Sequence, residues 1–414
     1  MTLSYAEALD YIFPRITTIK FGLETTRALL AELGNPQDQF AVIHIGGTNG
    51  KGSVATLVAD ALSAAGFRTG LYTSPHLVSF RERIRVDDAV ISRDAVAMWV
   101  ERLQPLIEAT GATFFETTTA LAFADFAARG AEIAVVEVGL GGRLDSTNVV
   151  SPLVSAVTKV ARDHMKYLGD TLEAIAREKA AIAQPGAPFV IGETDPALVR
   201  VLAGAAEASV KALEPGAETD IRIVPADREW RGPLGLAGPH QRRNAAVAQA
   251  VLEALPAEWQ PPVRTLERAF AAARVAGRLD RRGKWLFDVA HNPDGMDALV
   301  AALAAMAPPR PLHALVSILG DKEWPEMLVR LDAVVDRGIL TVAPTAKGRG
   351  WDLAWLQQWL ARPDRPPAHA EWHLEPDFTR AVRQVAQGAG TVLVTGSFHT
   401  VGDVMAELGM MDGD

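Results

Sequence analysis

The chain contains no cysteine among its 414 residues. Disulfide bonds, a thiolate nucleophile and a cysteine-ligated zinc site are therefore excluded. It also lacks a long apolar run: the longest, residues 298–309, is shorter than the about 20 residues that a membrane-spanning helix needs. The N-terminal segment shows neither the basic start nor the apolar stretch of a signal peptide. We therefore expect a soluble, cytoplasmic protein with no membrane partner.

The chain has no excess of positive charge either. It carries 41 Lys and Arg against 50 Asp and Glu, which gives a formal net charge of −9 at pH 7. Broad nucleic-acid binding needs a basic face, so we expect no nucleic-acid partner. Hydrophobic residues make up 49% of the chain and charged residues 22%, which excludes a disordered protein. The length suits two folded domains.

Strand-like and helix-like segments alternate along the chain. Predicted strands cover residues 41–45, 69–72, 133–138, 154–157 and 189–191 in a first series, and 285–289, 312–319, 338–342 and 391–394 in a second. Strands that alternate with helices predict parallel sheets covered on both faces. We place a domain boundary near residues 275–282, where a helix is expected to end at Gly277 and a turn-like Asp-Arg-Arg-Gly follows. The predicted domains span residues 1–277 and 278–414.

The most informative segment is Gly-Gly-Thr-Asn-Gly-Lys-Gly-Ser at residues 46–53, between a predicted strand and a predicted helix. At such a junction backbone N–H groups and the helix dipole bind phosphate, and glycines let the backbone approach the ligand. Lys51 can reach the outer phosphates, and Thr48 and Ser53 offer hydroxyl groups. Gly52 stands where the common phosphate-loop pattern has Ser or Thr, so that template does not match as written. The alternative is a glycine-rich turn without a ligand.

Residues 47–53 resemble the phosphate loop of the Mur ligase superfamily and, more narrowly, that of folylpolyglutamate synthase/dihydrofolate synthase. Further segments resemble this family in the family's own order. They are Thr-Ser-Pro-His-Leu at 73–77, Phe-Arg-Glu-Arg-Ile at 80–84, Glu-Val-Gly-Leu-Gly-Gly-Arg-Leu-Asp at 137–145, Asp-His at 163–164, Glu-Lys at 178–179, His-Gln-Arg-Arg-Asn at 240–244, Phe-Asp-Val-Ala-His-Asn-Pro at 287–293 and Gly-Ser-Phe-His at 396–399. A single segment would be weak, but the ordered set is highly specific.

The resemblance implies an α/β fold. A phosphate-loop, Mur-ligase-like, parallel-sheet ATPase domain that also binds the pterin would occupy residues 1–277. A smaller Rossmann-like α/β domain, the glutamate-ligase domain, would follow at 278–414. The residues that would contact ATP are Thr48, Asn49, Gly50, Lys51, Gly52, Ser53, Asn244, Arg278, Asp288 and His291. The alternative for Asp288 is a helix cap ahead of Pro293.

Metal ligands are expected where strands end, because ligands bind at the carboxyl edge of open α/β sheets. Glu137 and Ser74 end predicted strands, and the resemblance makes them ligands of one Mg²⁺ and makes His164 a ligand of a second. Otherwise Glu137 would pair with a nearby lysine, and His164 would be a structural histidine. Lys159 and Arg162 depart from the residues that the family usually has beside Asp-His.

Lys179 is expected on a helix over residues 172–183. In the resembled family the corresponding lysine can be carbamylated, which turns a cation into an oxygen-bearing anion suited to a metal-rich site. The alternative is a surface lysine paired with Glu178 or Glu173. Ala181 replaces the glycine that is usual in this segment of the family.

The pterin would be held by three segments that match positions in similar bifunctional enzymes. Their residues are Phe21, Gly22, Leu23, Phe115, Glu116, Leu144, Asp145 and Ser146. Aromatic faces stack on flat rings, and a carboxylate can pair with ring N–H groups. For Phe21 and Phe115 the alternative is core packing. Residues 139–148 would form a mobile loop bordering this pocket.

The implied activity is an ATP-dependent amide ligation through an acyl phosphate. L-Glutamate would be joined to dihydropteroate, forming dihydrofolate, and to tetrahydrofolate, extending the polyglutamate chain. Lys51, His164 and Lys179 would be the catalytic residues, with Mg²⁺ at two sites, and we expect a monomer. Three alternatives stay open: a polyglutamate-only ligase, another Mur-type amide ligase, and a phosphate-loop NTPase that acts as a switch.

Overall fold

The structure is a computed structural model, which describes residues 3–17, 20, 22–362 and 369–410. The chain divides into two compact units. The first comprises Met1–Pro75, Arg81–Pro233 and Arg243–Ala273, and the second comprises His76–Phe80, Leu234–Arg242 and Arg274–Asp414.

The first unit contains an 8-stranded sheet of order β4-β3-β2-β5-β1-β6-β7-β8. From β2 to β8 the neighbouring strands are parallel, whereas β3 is antiparallel to both β2 and β4. The strands are β1 Ala41–Gly46, β2 Thr69–Tyr72, β3 Ile84–Val86, β4 Ala89–Val90, β5 Ile133–Glu137, β6 Val154–Val157, β7 Phe189–Ile191 and β8 Ile221–Ile223.

Helices pack against this sheet: α3 contacts β1, β2 and β5, α5 contacts β3, and α8 contacts β7. The helices up to the end of this unit are α1 Tyr5–Ile12, α2 Glu24–Glu32, α3 Lys51–Ala64, α4 Arg93–Thr110, α5 Phe114–Ala128, α6 Met165–Leu168, α7 Leu172–Ala180, α8 Pro196–Leu213, α9 Pro239–Ala254 and α10 Val263–Ala272. The residues of α9 up to Arg242 belong to the second unit.

The second unit contains a 6-stranded sheet of order β13-β12-β11-β14-β10-β9, in which β9 is antiparallel to β10 and the other pairs are parallel. Its strands are β9 Arg278–Arg282, β10 Trp285–Asp288, β11 Leu312–Val316, β12 Arg337–Leu340, β13 Glu371–Leu374 and β14 Thr391–Thr395. Its helices are α11 Pro293–Met306, α12 Trp324–Asp332, α13 Leu353–Leu360, α14 Phe378–Val385 and α15 Phe398–Glu407. Short 3₁₀ turns occur in the chain at Phe13–Thr17, Pro36–Asp38, Phe80–Arg83, Ala257–Trp259 and Pro344–Ala346.

The central strands of the first sheet are buried on both faces, as expected for parallel strands covered by helices. In the register of β1 with β5, Ile45 is opposite Glu137. The carboxyl ends of the two strands therefore lie side by side, and this brings the loop after β1 next to the residues after β5.

The predicted α/β class is confirmed, but several details are wrong. The turn expected at residues 280–283 is largely strand, because β9 extends to Arg282 and pairs with β10. The helix expected to end at Gly277 ends at Ala272, and the strand predicted over 312–319 ends at Val316. The antiparallel strands β3, β4 and β9 were not predicted, since they are short and carry little apolar patterning. Within the described part of the chain, no helix is long and apolar enough to cross a membrane.

Candidate active site

The phosphate loop follows β1, which ends at Gly46, and leads into α3, which begins at Lys51. Gly50 is the N-cap residue of α3 with a φ of 90°, and Gly47 has a φ of 137°, both in the region that favours glycine. A Cβ at Gly47 would lie 2.0 Å from Oγ1 of Thr158. The tight backbone path therefore needs glycine, and the N-terminal N–H groups of α3 are available for an anion.

Thr48 holds the loop in shape through its own hydroxyl group. Oγ1 of Thr48 donates to the carbonyl oxygen of Ala161 and accepts from the N–H of Ala161, both at 3.1 Å. Its backbone N–H donates to the carbonyl oxygen of Lys159 at 2.6 Å. The structure thus places the predicted ATP-binding Thr48 so that its hydroxyl fastens the loop to residues 159–161.

Lys51, Glu137 and Ser74 lie together at the carboxyl edge of the sheet. Nζ of Lys51 is 3.9 Å from Oε1 of Glu137, and Oε2 of Glu137 accepts a 3.0 Å hydrogen bond from the N–H of Ser74. A Cβ at Gly52 would lie 3.5 Å from Oε2 of Glu137. The contact with Lys51 matches the alternative noted for Glu137, which is pairing with a nearby lysine. The Glu137 carboxylate also faces the start of α3.

The donors at this edge suit a hard divalent cation, because Glu137 supplies carboxylate oxygens and Ser74, whose N–H bonds to that carboxylate, carries a hydroxyl. Across residues 3–17, 20, 22–362 and 369–410, no three His, Asp or Glu side chains converge in a metal-binding arrangement. His164 occupies the N-cap position of α6 with a φ of 52°, and its Nε2 is 3.8 Å from Oδ1 of Asp163.

Lys179 is buried on α7 and its Nζ donates a 2.9 Å hydrogen bond to the carbonyl oxygen of Gly47. The alternative of a surface lysine paired with Glu178 is therefore wrong, and Glu178 instead accepts from Arg143. Burial lowers the pKa of Lys179 to about 7, and the positive charge of Lys51 acts in the same direction. The amine is thus substantially neutral near neutral pH, which is the form that reacts as a nucleophile.

The loop of residues 139–148 is organised around the carboxylate of Asp145. Oδ2 of Asp145 accepts from the N–H of Leu140 at 2.7 Å, and Oδ1 accepts from the N–H of Thr147 at 3.0 Å and from the Thr147 hydroxyl. Oγ of Ser146 is 2.7 Å from Oγ1 of Thr119 on α5. Burial raises the pKa of Asp145, and hydrogen bonds from its own loop oppose that shift.

Four of the other predicted pterin positions, Gly22, Leu23, Phe115 and Glu116, lie at or just before helix starts in the first unit. Oε2 of Glu116 accepts from the N–H of Thr113 at 2.7 Å, so Glu116 completes the capping box of α5. Phe115 is partly exposed, with its ring edge-on to Phe114. Gly22 and Leu23 precede α2, and Leu144 is partly exposed. Phe21 lies outside the described residues.

Asn244 on α9 lies beside the phosphate loop, since a Cβ at Gly50 would be 2.6 Å from its Oδ1. The other predicted nucleotide contacts belong to the second unit, where they form a cluster of their own. Cζ of Arg278 is 5.1 Å from the centre of the Phe398 ring. The centres of the His291 and Phe398 rings are 5.6 Å apart.

Asp288 belongs to the same cluster and is buried. It accepts from the N–H groups of Leu279 and Ala290, both at 3.0 Å. Burial raises the pKa of Asp288, and the Arg278 guanidinium opposes that shift. The cap ahead of Pro293 is provided by Asn292, whose side chain accepts from the N–H of Gly295, so the capping alternative for Asp288 is wrong.

Sequence reasoning missed three polar residues that shape the site. Oγ1 of Thr158 donates to the carbonyl oxygen of Asn49 at 2.8 Å, and the fully buried His44 on β1 lies 2.8 Å from Oγ1 of Thr147. A histidine inside the apolar strand pattern 41–46 was the available signal for His44. Thr158 and Thr147 carry no sequence signal of their own.

A strand-to-helix phosphate loop with a carboxylate at the neighbouring strand end defines a nucleotide-binding α/β protein. Residues 45–252 match the Mur ligase middle domain, and residues 274–398 match the Mur ligase glutamate ligase domain. The chain belongs to the Mur ligase family, as the resemblance implied.

Related proteins span almost the whole chain. The dihydrofolate synthase/folylpolyglutamate synthase of Bacillus subtilis is 30% identical, over 99% of this chain and 100% of the relative. The structure of Escherichia coli FolC in complex with DHPP and ADP superposes with a TM-score of 0.84 at 30% identity, covering 99% of this chain and 98% of that one. The bifunctional Yersinia pestis enzyme complexed with AMPPNP and Mn ion gives a TM-score of 0.81 at 31% identity, with 99% and 98% covered.

Proposed function

We propose that the chain joins L-glutamate to dihydropteroate and to tetrahydrofolate, at the expense of ATP. The observation that carries the proposal is the contact of Lys51 with Glu137 and of Glu137 with Ser74, at the mouth of a glycine-rich phosphate loop. Relatives named for both reactions align along almost the entire chain. The chain would act as a monomer, with residues 1–277 binding ATP and the pterin and 278–414 forming the glutamate-ligase domain.

The reaction would proceed in two steps. An oxygen of the substrate carboxylate attacks the γ-phosphorus of ATP, and ADP leaves with the electron pair of the broken bond. The amine of L-glutamate then attacks the acyl carbon, loses a proton and displaces inorganic phosphate. Activation replaces hydroxide, a poor leaving group, with phosphate, a good one.

The phosphate loop would hold the transferring group. N–H groups at the start of α3 would bind the phosphates of ATP, and Lys51 would stabilise the charge on the outer phosphates as a point charge. The remaining contacts to the phosphates would come from Asn49, Gly50, Gly52 and Ser53. Thr48 would act through the loop that it braces, since its hydroxyl already bonds to Ala161.

A divalent cation fits the same corner of the site. Ser74 and Glu137 would hold it, and when bound it supplies positive charge that neutralises the phosphate oxygens. A relative's structure contains a Mn ion with AMPPNP. We further propose a second Mg²⁺ site at His164.

Lys179 would be carbamylated. Its amine is buried, its pKa lies at about 7, and it contacts the phosphate loop at Gly47. The neutral amine attacks CO₂, forms a carbamate and loses a proton. The product carries oxygen atoms and a negative charge, which suit a metal-rich site better than an ammonium group does.

The cluster in the second unit would supply further contacts to the nucleotide, together with Asn244. Arg278 would bind phosphate with its guanidinium group, Asp288 would accept hydrogen bonds from the ribose, and His291 would contact ATP. The pterin would lie against Phe21, Gly22, Leu23, Phe115, Glu116, Leu144, Asp145 and Ser146.

Both reactions would need two poses of the pterin. One glutamate unit moves the reacting carboxylate away from the ring by several ångströms, because a chain spans at most ~3.3–3.6 Å per residue. A pterin fixed at one depth could not present both carboxylates to one γ-phosphate. Each substrate should therefore compete with the other at the shared phosphate site.

The test is an assay of phosphate release with each folate substrate separately, and then with both together. Phosphate should appear only when ATP, L-glutamate and one folate substrate are present, and each substrate should inhibit turnover of the other. Steady hydrolysis without a carboxylate substrate would instead identify an NTPase. Activity on tetrahydrofolate with no turnover of dihydropteroate would leave a polyglutamate-only ligase.

A further inference from the structure

His44 is the polar exception in the central strand β1. It is fully buried, and in the sheet register it lies between Val136 of β5 and Ser155 of β6. Its Nδ1 atom has no hydrogen-bond partner among the described residues. An imidazole that is only half hydrogen-bonded in a sheet interior is less favourable than an apolar side chain, so its remaining contact deserves a functional explanation.

That contact is with the hydroxyl group of Thr147. Nε2 of His44 lies 2.8 Å from Oγ1 of Thr147, and the single hydrogen of that hydroxyl is donated to Oδ1 of Asp145. Oγ1 must therefore accept from His44, which fixes the neutral imidazole with its hydrogen on Nε2. Burial lowers the pKa of His44 to about 3, in keeping with a neutral ring.

Asp145 connects this hydrogen bond to the rest of the loop. Its carboxylate accepts from the N–H groups of Leu140 and Thr147 as well as from the Thr147 hydroxyl. A Cβ at Gly139 would lie 3.3 Å from Oδ2 of Asp145 and 3.8 Å from Oγ of Ser74. The carboxylate thus closes the loop at its start, next to the corner that holds Ser74 and Glu137.

We propose that His44 is a positioning residue for the folate substrate: through the Thr147 hydroxyl it fixes the carboxylate of Asp145, and with it residues 139–148, against β1. The inference rests on the proposed function, because it takes residues 144–146 as part of the folate pocket. Both oxygens of Asp145 are used within the loop. Asp145 therefore sets the shape of the loop in addition to the contact with the pterin proposed above.

The link can be cut at either residue, and at Thr147 the substitution by Val keeps the shape of the side chain. Thr147→Val removes the hydroxyl, Thr147→Ser keeps it, and His44→Gln keeps an N–H near the position of Nε2 while His44→Leu does not. Thr391→Val is the matched control, because Thr391 is buried and its hydroxyl has no partner among the described residues. All variants are made in the full chain.

The expected result is a selective change in Michaelis constants. Thr147→Val and His44→Leu should raise KM for dihydropteroate about tenfold, the effect of losing one hydrogen bond in a charged network. KM for ATP should stay within about twofold, since the phosphate loop is held by other residues. Thr147→Ser and His44→Gln should restore KM in part, and combining Thr147→Val with His44→Leu should add little.

Three results would overturn the inference. These are equal rises in every KM, a lower melting temperature with unchanged KM values, or multiplying effects in the double variant. If the wild-type chain ligates glutamate to neither dihydropteroate nor tetrahydrofolate, the proposed function is wrong, and this outcome is distinct from a failure of the role of His44.

Amide hydrogen exchange tests the link without substrate. His44→Leu should accelerate exchange in residues 139–148 and leave residues 158–161 unchanged, whereas equal protection of residues 139–148 in both proteins would refute it.

Discussion

Nζ of Lys179 donates a hydrogen bond of 2.9 Å to the carbonyl oxygen of Gly47, although the two residues are 132 positions apart. A buried amine on α7 is thereby fixed against the phosphate loop. No pattern in the sequence gives this contact, because it depends on how α7 packs after β6. It excludes a solvent-exposed lysine at this position.

The first prediction concerns the modification of Lys179. With a folded-state pKa of about 7, below the usual 10.5, the amine is largely neutral above pH 7 in the folded chain but protonated in the unfolded chain up to pH 10.5. The amount of carbamate on Lys179 should therefore increase as the pH rises through 7. After incubation with ¹³C-bicarbonate, NMR should show a carbamate signal at pH 8 that is lost at pH 6.

Lys179→Arg keeps a positive charge but cannot form a carbamate. It should lose both the signal and the ligase activity, while the exposed Lys211→Arg on α8 should keep both. A fully active Lys179→Arg would assign Lys179 to bracing the loop through Gly47.

The second prediction concerns Lys51. Lys51→Ala should reduce ligation by at least about 100-fold, because it removes the point charge for the outer phosphates. Unfolding followed by circular dichroism should give a melting temperature close to that of the wild type, since the described contacts of Nζ of Lys51 are one hydrogen bond of 3.1 Å to the carbonyl oxygen of Thr48 and one ion pair of 3.9 Å with Glu137. Near-normal turnover of the purified variant would remove Lys51 from the site, and Lys211→Ala serves as the control.

The third prediction concerns Glu137. Glu137→Gln keeps an oxygen that can accept from the N–H of Ser74 but loses the negative charge that a cation needs. Activity at limiting Mg²⁺ should fall by about 100-fold, with a much smaller effect on stability. The exposed Glu207→Gln on α8 should behave like the wild type. A loss explained wholly by a lower melting temperature would contradict the role as ligand.

Much of the fold followed from local patterns. The strands Thr69–Tyr72, Val154–Val157 and Phe189–Ile191 have the predicted bounds, because each is a short apolar run between turn residues. The antiparallel strands β3, β4 and β9 did not follow, since they are short and carry little apolar patterning. The Arg-rich β9 looks like a turn in sequence and is a strand only because β10 pairs with it.

The candidate site was predicted in composition but not in arrangement. The glycine pattern identifies the phosphate loop, whereas the bracing of Thr48 by Ala161 depends on a segment 113 residues away. Asp145 was assigned to the pterin, and the structure shows that its carboxylate organises its own loop. A polar side chain in sequence does not reveal whether it faces a ligand or the backbone.

The fourth prediction concerns His164. It lies at the N-cap position of α6 with its side chain partly exposed, so its removal should cost little stability. If His164 holds a second Mg²⁺, His164→Ala should shift the Mg²⁺ titration of activity to higher concentration without changing the maximum rate. His369→Ala, at an exposed position, is the control. An unchanged titration would identify a structural histidine.

The last prediction follows from the burial of His44. Its folded-state pKa of about 3 lies below the usual value of 6.5, so between these pH values the unfolded chain binds a proton there and the folded chain does not. Burial of the neutral ring therefore carries no protonation penalty above pH 6.5, and the folded state loses stability as the pH falls from 6.5 towards 3. Below pH 6.5 the free energy of unfolding of the wild type should fall relative to that of His44→Gln by about 1.4 kcal/mol per pH unit. Urea unfolding of both proteins between pH 7 and pH 4.5 measures this difference, since the carboxylates that titrate in the same range are common to both. Parallel stability curves would mean that the buried ring accepts a proton in the folded state, and the neutral hydrogen-bond chain from His44 through Thr147 to Asp145 would then be wrong.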